Sequence, residues 1–218
     1  MSISQFFHPE RLADIWVLQV HQIQSGQVIV DLLSVVKELV ENALDAQSTS
    51  VEVRFRQNGL EGVEVQDNGC GIAPENYENI ALKHHTSKLD SYDDLDRLRT
   101  FGFRGEALSS LCAVSKFSVT TSLQSQVPKG TRLEFDTDGR IRSRSVVATS
   151  RGTTAKMEAL FSNLPVRRQE LERNVKREYG KVLVLLNSYA CVSTDVKFVV
   201  SNQDAKGSVE EITLIVWS

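Results

Sequence analysis

Val36-Lys37-Glu38-Leu39-Val40-Glu41-Asn42-Ala43-Leu44-Asp45-Ala46 decides the fold, because two periods overlap in it. Val36, Leu39, Val40 and Ala43 recur at three- and four-residue spacing, which is the apolar stripe of an amphipathic helix. Leu32, Leu33 and Val35 carry the same stripe upstream, so the pattern predicts a helix over Asp31–Ala46. Glu38, Glu41, Asn42 and Asp45 share the opposite face by the same spacing. On an isolated helix that face is ordinarily solvated, with Lys37 pairing to Glu41. The sharper reading is a catalytic edge. A carboxylate can take a proton from water, and an amide oxygen one turn away can ligate a hard cation.

Just past Ala46 the period drops to two. Val51, Val53 and Phe55 alternate with Glu52, Arg54 and Arg56, and after Asn58-Gly59 a second strand carries Val63 and Val65. That strand runs into Asp67-Asn68-Gly69-Cys70-Gly71, which reads by itself as a turn. An ionised Asp67 could equally accept a hydrogen bond from an exocyclic amine, with Gly69 and Gly71 letting the backbone approach a planar base. Ala73–Arg99 is polar and helical at its start. Phe101–Gly105 is a glycine loop opening a helix near Glu106. Phe117–Ser122, Arg132–Phe135 and Ile141–Val147 read as strands, with Asp136-Thr137-Asp138-Gly139 as a hairpin turn. A long helix follows over about Val166–Ala190, then a strand at Val196–Ser201, a linker around Lys206-Gly207 and a strand starting at Glu211. Helices mixed with antiparallel hairpins predict an α+β two-layer sandwich, a mixed sheet with helices on one face.

The chain has 218 residues, 41% hydrophobic and 24% charged, enough to bury a core without disulfides. Its formal net charge of −3 excludes a global basic field, so any DNA contact must be local. Arg140, Arg142 and Arg144 alternate on one strand face, and Arg167, Arg168, Arg173, Lys176, Arg177 and Lys181 give the long helix a basic side diluted by Glu170, Glu172 and Glu178. A solvated surface explains both patches as well as phosphate contact does. Cys70, Cys112 and Cys191 form no Cys-x-x-Cys pair, which argues against structural zinc and for a reducing compartment. No apolar run reaches the roughly 18 residues of a membrane span, and Met1–Glu10 has no secretory pattern.

Gly102-Phe103-Arg104-Gly105-Glu106-Ala107-Leu108 places two glycines before a helix, a way to present backbone N–H groups to phosphate, though it is neither Walker A nor the dinucleotide fingerprint. Gly152-Thr153-Thr154 offers hydroxyls and carries little information alone. His84 and His85 lack acidic or cysteine partners at ligand spacing and are not read as a metal site.

Taken in order, these pieces resemble the GHKL ATPases, and within them the MutL type, in its eukaryotic PMS branch. The carrying strings are Gln22–Ile29, Val36–Ala46, Asp67–Ile72, Lys83–Lys88, Thr100–Leu111, Arg151–Thr154 and Leu160–Arg167. The resemblance implies the Bergerat ATP-binding fold, with ATP and Mg²⁺ as cofactors. It implies Glu38 as the general base, Asn42 as the Mg²⁺ ligand, Asp67 as the adenine reader, and Gly71 as room for the base. Gly102, Phe103, Arg104, Gly105, Glu106, Ala107 and Leu108 become the phosphate lid. Thr86, Ser87 and Lys88 lie in the segment that orders with it, and Thr153 stands beside Asp67. The implied activity is ATP hydrolysis driving closure of N-terminal domains in nuclear DNA mismatch repair. The implied partners are an MLH1-like subunit, MutS-type proteins and DNA, with no membrane.

The same reading divides the chain into an atypical leader at 1–20, the ATPase domain at 21–203, and at 204–218 a linker with the start of a truncated transducer domain. That second domain normally supplies a lysine to the γ-phosphate. Its loss leads us to expect nucleotide binding with weak hydrolysis, or a nucleotide-gated module with little or none. A kinase or chaperone of the same class is disfavoured by Gly102–Leu111 and Leu160–Arg167.

Overall fold

The computed structural model describes residues 28–82 and 106–214. The first helix, α1, spans Leu32–Asp45, with Asp31 as its N-cap. The Asp31 carboxylate accepts from the Ser34 amide at 2.8 Å while the Ser34 hydroxyl accepts from the Asp31 amide at 3.1 Å, a reciprocal capping box. Strands β1 (Ser50–Arg56) and β2 (Gly62–Asp67) pair antiparallel around a 3₁₀ turn at Gln57–Gly59. The polar stretch after Ala73 forms only a 3₁₀ turn at Pro74–Asn76 within the described residues. Helix α2 is Ala107–Val114. Then come β3 (Lys116–Ser122), β4 (Lys129–Phe135), β5 (Ile141–Ala148) and β6 (Gly152–Glu158). Helix α3 runs over Pro165–Val192, with proline in its first turn, and β7 (Lys197–Gln203) and β8 (Val209–Leu214) follow.

The eight strands form one mixed sheet in the order β5-β4-β3-β6-β2-β1-β7-β8. Among the described strands only β1 and β7 are parallel, and α3 makes the crossover that such a pair needs. Register puts Val53 opposite Val65 and Val200, Val65 opposite Ala155, and Met157 opposite Phe117. Residues directly opposite share a face, so these form one apolar surface. The helices cover it, burying Leu32, Val35, Val36, Leu39 and Val40 of α1 with Leu171, Val182 and Leu186 of α3. The Tyr179 ring meets Phe55 edge-on at 5.1 Å and fixes α3 over β1. The other face carries half-exposed ion pairs, among them Arg54 with Glu52 and Glu64, and Arg56 with Glu158.

The α+β architecture expected from sequence is present. Several local expectations are corrected. Gly152–Glu158 is a central strand, where sequence showed only a small polar triplet. Lys206-Gly207 is not a linker but the turn of a β7–β8 hairpin, closed by Asp204 N–H to Ser208 O at 2.9 Å, and β8 extends the main sheet. Arg140, Arg142 and Arg144 do not act as one face. A register shift at Glu134/Phe135 breaks the alternation. Arg140 pairs with Asp138, Arg142 with Glu134, and Arg144 lies 5.0 Å over the Tyr77 ring.

Candidate nucleotide site

α1 packs on the sheet face that carries Val65 and, at the end of β2, Asp67. The chain turns sharply after Asp67, and the Cys70 amide donates to the Ala46 carbonyl at 3.0 Å. The loop is thereby fastened to the residue that ends α1. Asn42 lies one turn and Glu38 two turns back along that helix. Asn68 secures the other side: its amide oxygen accepts from the Thr49 and Ser50 amides at 2.9 and 3.0 Å.

Asp67 is 8% exposed. Its Oδ1 accepts from the Gly69 amide at 2.7 Å and the Thr153 amide at 3.3 Å. Oδ2 receives no bond among the described residues, so an acceptor on this mostly buried side chain remains available. Burial pushes the carboxyl up to about 6, and the two backbone N–H groups only partly oppose it. Gly71 has φ +76°, and a side chain there would meet Ser122 O at 2.4 Å. Gly152 has φ +116°, and a Cβ would lie 2.0 Å from Asp67 O. Both the left-handed backbone and the close approach require glycine at these two positions.

Thr121 joins the pieces. Its hydroxyl accepts from the Ile72 amide at 2.9 Å and lies 3.1 Å from both Gly152 O and the Thr153 hydroxyl. Arg151 adds a bond from Nε to Gly69 O at 2.9 Å. No sequence signal marked Thr121, which is one threonine in a strand of them. Asn68 and Arg151 stood in the quoted strings without a role.

Asp67, Gly71 and Thr153 are therefore brought together, with Asn42 and Glu38 on the helix fastened beside them. Glu41 does not belong to that edge. It is buried between α1 and α3 and accepts from the Tyr189 hydroxyl at 2.7 Å. Glu106 is the N-cap position of α2, and Ala107 and Leu108 form its first turn, half-buried. α2 leads through Ser115 into β3, the strand that holds Thr121. Thr86, Ser87, Lys88, Gly102, Phe103, Arg104 and Gly105, with His84 and His85, lie outside the described residues. Among the described residues no acidic, histidine and cysteine cluster could hold a metal, and no helix is long and apolar enough to cross a membrane. The basic side of α3 is smaller than expected. Arg167 donates to Ile29 O, and Arg168 to Leu60 O and Leu160 O, which leaves Arg173, Lys176, Arg177 and Lys181 at the surface.

A helix edge bearing Glu38 and Asn42 is thereby fastened to a buried strand-end aspartate and a glycine turn. The sequence model of the histidine kinase-, DNA gyrase B- and HSP90-like ATPases matches residues 30–163, and the chain belongs to that family. Its relatives within the family are mismatch-repair proteins of the MutL/PMS type. It is 52% identical over 187 residues to the DNA mismatch repair protein PMS1 of Arabidopsis thaliana, covering 86% of this chain and 20% of that protein. It is 46% identical over 193 residues to the mismatch repair endonuclease PMS2 of Homo sapiens, covering 88% and 22%. The chain thus spans about a fifth of the length of these relatives. Among solved structures, the N-terminal domain of a DNA repair protein superposes with a TM-score of 0.81 at 44% identity, covering 91% of this chain and 57% of that one. The Aquifex aeolicus MutL ATPase domain complexed with ADP gives 0.61 at 32% identity, covering 85% and 64%.

Proposed function

We propose that this chain is the ATP-binding and ATP-hydrolysing part of a PMS-type mismatch-repair protein. The observation that carries the reading is the buried Asp67 with an open Oδ2, in a loop fastened to the end of α1. A neutral, hydrogen-bond-donating planar group such as the adenine amine fits that acceptor, and the glycine turn at Gly71 leaves room beside it. Thr153 holds Asp67 in place through its backbone amide and lines the same wall. Asn42 supplies an amide oxygen of the kind a Mg²⁺ ion bound with triphosphate accepts, and such an ion would neutralise phosphate charge. Glu38, one turn earlier, takes a proton from the attacking water. Glu106, Ala107 and Leu108 offer the amides of the first turn of α2 to phosphate. Thr86, Ser87, Lys88 and Gly102–Gly105 would complete the cover.

In this reading, nucleotide-driven ordering closes the domain on its counterpart in an MLH1-like subunit, in the nucleus. MutS-type proteins act upstream, and DNA phosphate is met non-specifically by residues such as Arg173, Lys176, Arg177 and Lys181. The test is Glu38→Ala. ATP affinity, read by titration with Mg²⁺, is retained and phosphate release is abolished. Undiminished release from the purified variant refutes the base assignment, and the absence of any heat or thermal-shift signal with adenine nucleotides refutes the site.

A further inference from the structure

Adjacent residues on a helix point about 100° apart and do not face each other, so Lys37 has no geometric reason to attend to Glu38. It is nevertheless held there. The Lys37 ammonium donates to Glu41 Oε2 at 2.9 Å and stands 3.6 Å from Glu38 Oε1. Glu41 is 7% exposed, and its other oxygen accepts from the Tyr189 hydroxyl at 2.7 Å. Tyr189 belongs to α3 and is itself buried at 8% exposure. Burial comes first, and then the bond to Glu41, in raising the Tyr189 hydroxyl far above its ordinary range, so it remains a donor. Burial lowers the Lys37 ammonium, and the bond to Glu41 and the charge of Glu38 more than restore it, so it remains a cation.

We propose that Tyr189 and Glu41 are positioning residues that hold the Lys37 ammonium beside the carboxylate of Glu38. The inference rests on the reading of Glu38 as the base. A half-exposed lysine on its own samples many rotamers, and a surface pair fixes it poorly. Here one end of the chain of contacts is buried and doubly bonded, which removes that freedom. At 3.6 Å the ammonium favours the ionised carboxylate. The charged and titratable groups that the structure places against the Lys37–Glu38 pair include Glu41 of α1 and Tyr189 of α3.

The experiment is a ¹³C carboxyl titration of the nucleotide-free protein, with the Glu38 resonance assigned by its loss in Glu38→Gln. Lys37→Met moves the Glu38 midpoint to higher pH. Tyr189→Phe, which keeps the ring and its packing, moves it the same way by less, and Lys37→Arg leaves it near the parent value. In single-turnover hydrolysis Tyr189→Phe slows the chemical step about three- to tenfold, the scale of one ordinary intramolecular hydrogen bond, with ATP affinity unchanged. A Glu38 midpoint that ignores either Lys37→Met or Tyr189→Phe overturns the proposal. Full hydrolysis by Glu38→Gln sinks the base reading alone, because the titration reports on the clamp without any turnover.

Discussion

The amide of Cys70 reaches the carbonyl of Ala46 at 3.0 Å, so the loop after β2 hangs from the last turn of α1. That single bond makes two elements that sequence could only list side by side into one wall. Helix and loop lie on the same side of the sheet, and movement of either is felt by the other.

Asp67 should trade stability for recognition. Its folded carboxyl titrates at about 6 against an ordinary 3.8, so the folded state favours the protonated form. The contribution to stability is full below 3.8 and is lost as pH rises through 6, a difference of roughly 3 kcal/mol at most. Without nucleotide, Asp67→Asn is therefore expected to melt higher than the parent at pH 7.5, with the gap closing by pH 4. ATP affinity falls in the same variant. Parallel thermal melts across pH check this, and a gap that widens toward acid contradicts it.

Gly152→Ala tests the close approach of β6 to Asp67. The backbone conformation alone costs about 1–3 kcal/mol, and the Asp67 carbonyl must also move. Urea unfolding should show a loss at least that large. Nucleotide affinity should drop beyond what the lower stability explains, because Thr153 leaves its place on Asp67.

The three thiols should separate kinetically. Cys70 and Cys191 are exposed, and Cys112 is buried with its thiol pushed far above its ordinary range by desolvation. An aromatic disulfide reagent is expected to label two sites quickly and the third only on unfolding. ATP with Mg²⁺ should slow the labelling of Cys70, which stands in the loop, and leave Cys191 unchanged. Equal protection of both would argue against nucleotide at the loop.

Asp31→Ala removes the reciprocal cap of α1. A loss of about 0.5–2 kcal/mol is expected in denaturant melts, and Asp31→Asn should recover most of it.

What sequence made legible was whatever repeats with a period. α1 and the β1–β2 pair were readable because their apolar residues recur cleanly, and the Asp67 loop because glycines bracket it. β6 was not. Its inward residues are Thr153, Ala155 and Met157, and two of these are too small or polar to mark a buried face. Glu41 looked like a surface acid because helical spacing cannot tell solvent from a neighbouring tyrosine 148 residues away. The arginines of β5 were misjudged because a one-residue register shift cancels alternation. In the candidate site, sequence named residues with chemistry of their own, while Thr121, which only holds others, went unnamed.

The strand order β3-β6-β2 has a consequence for how the chain assembles. The β1–β2 hairpin and the β3–β4–β5 meander share no backbone ladder until residues 152–158 slide between them and bond on both flanks. β6 is the keystone of the sheet, and the pairings it makes with β2 span about ninety positions of sequence, a separation that slows folding. The contact between Asp67 and Thr153 therefore depends on a strand pairing that joins distant parts of the sequence.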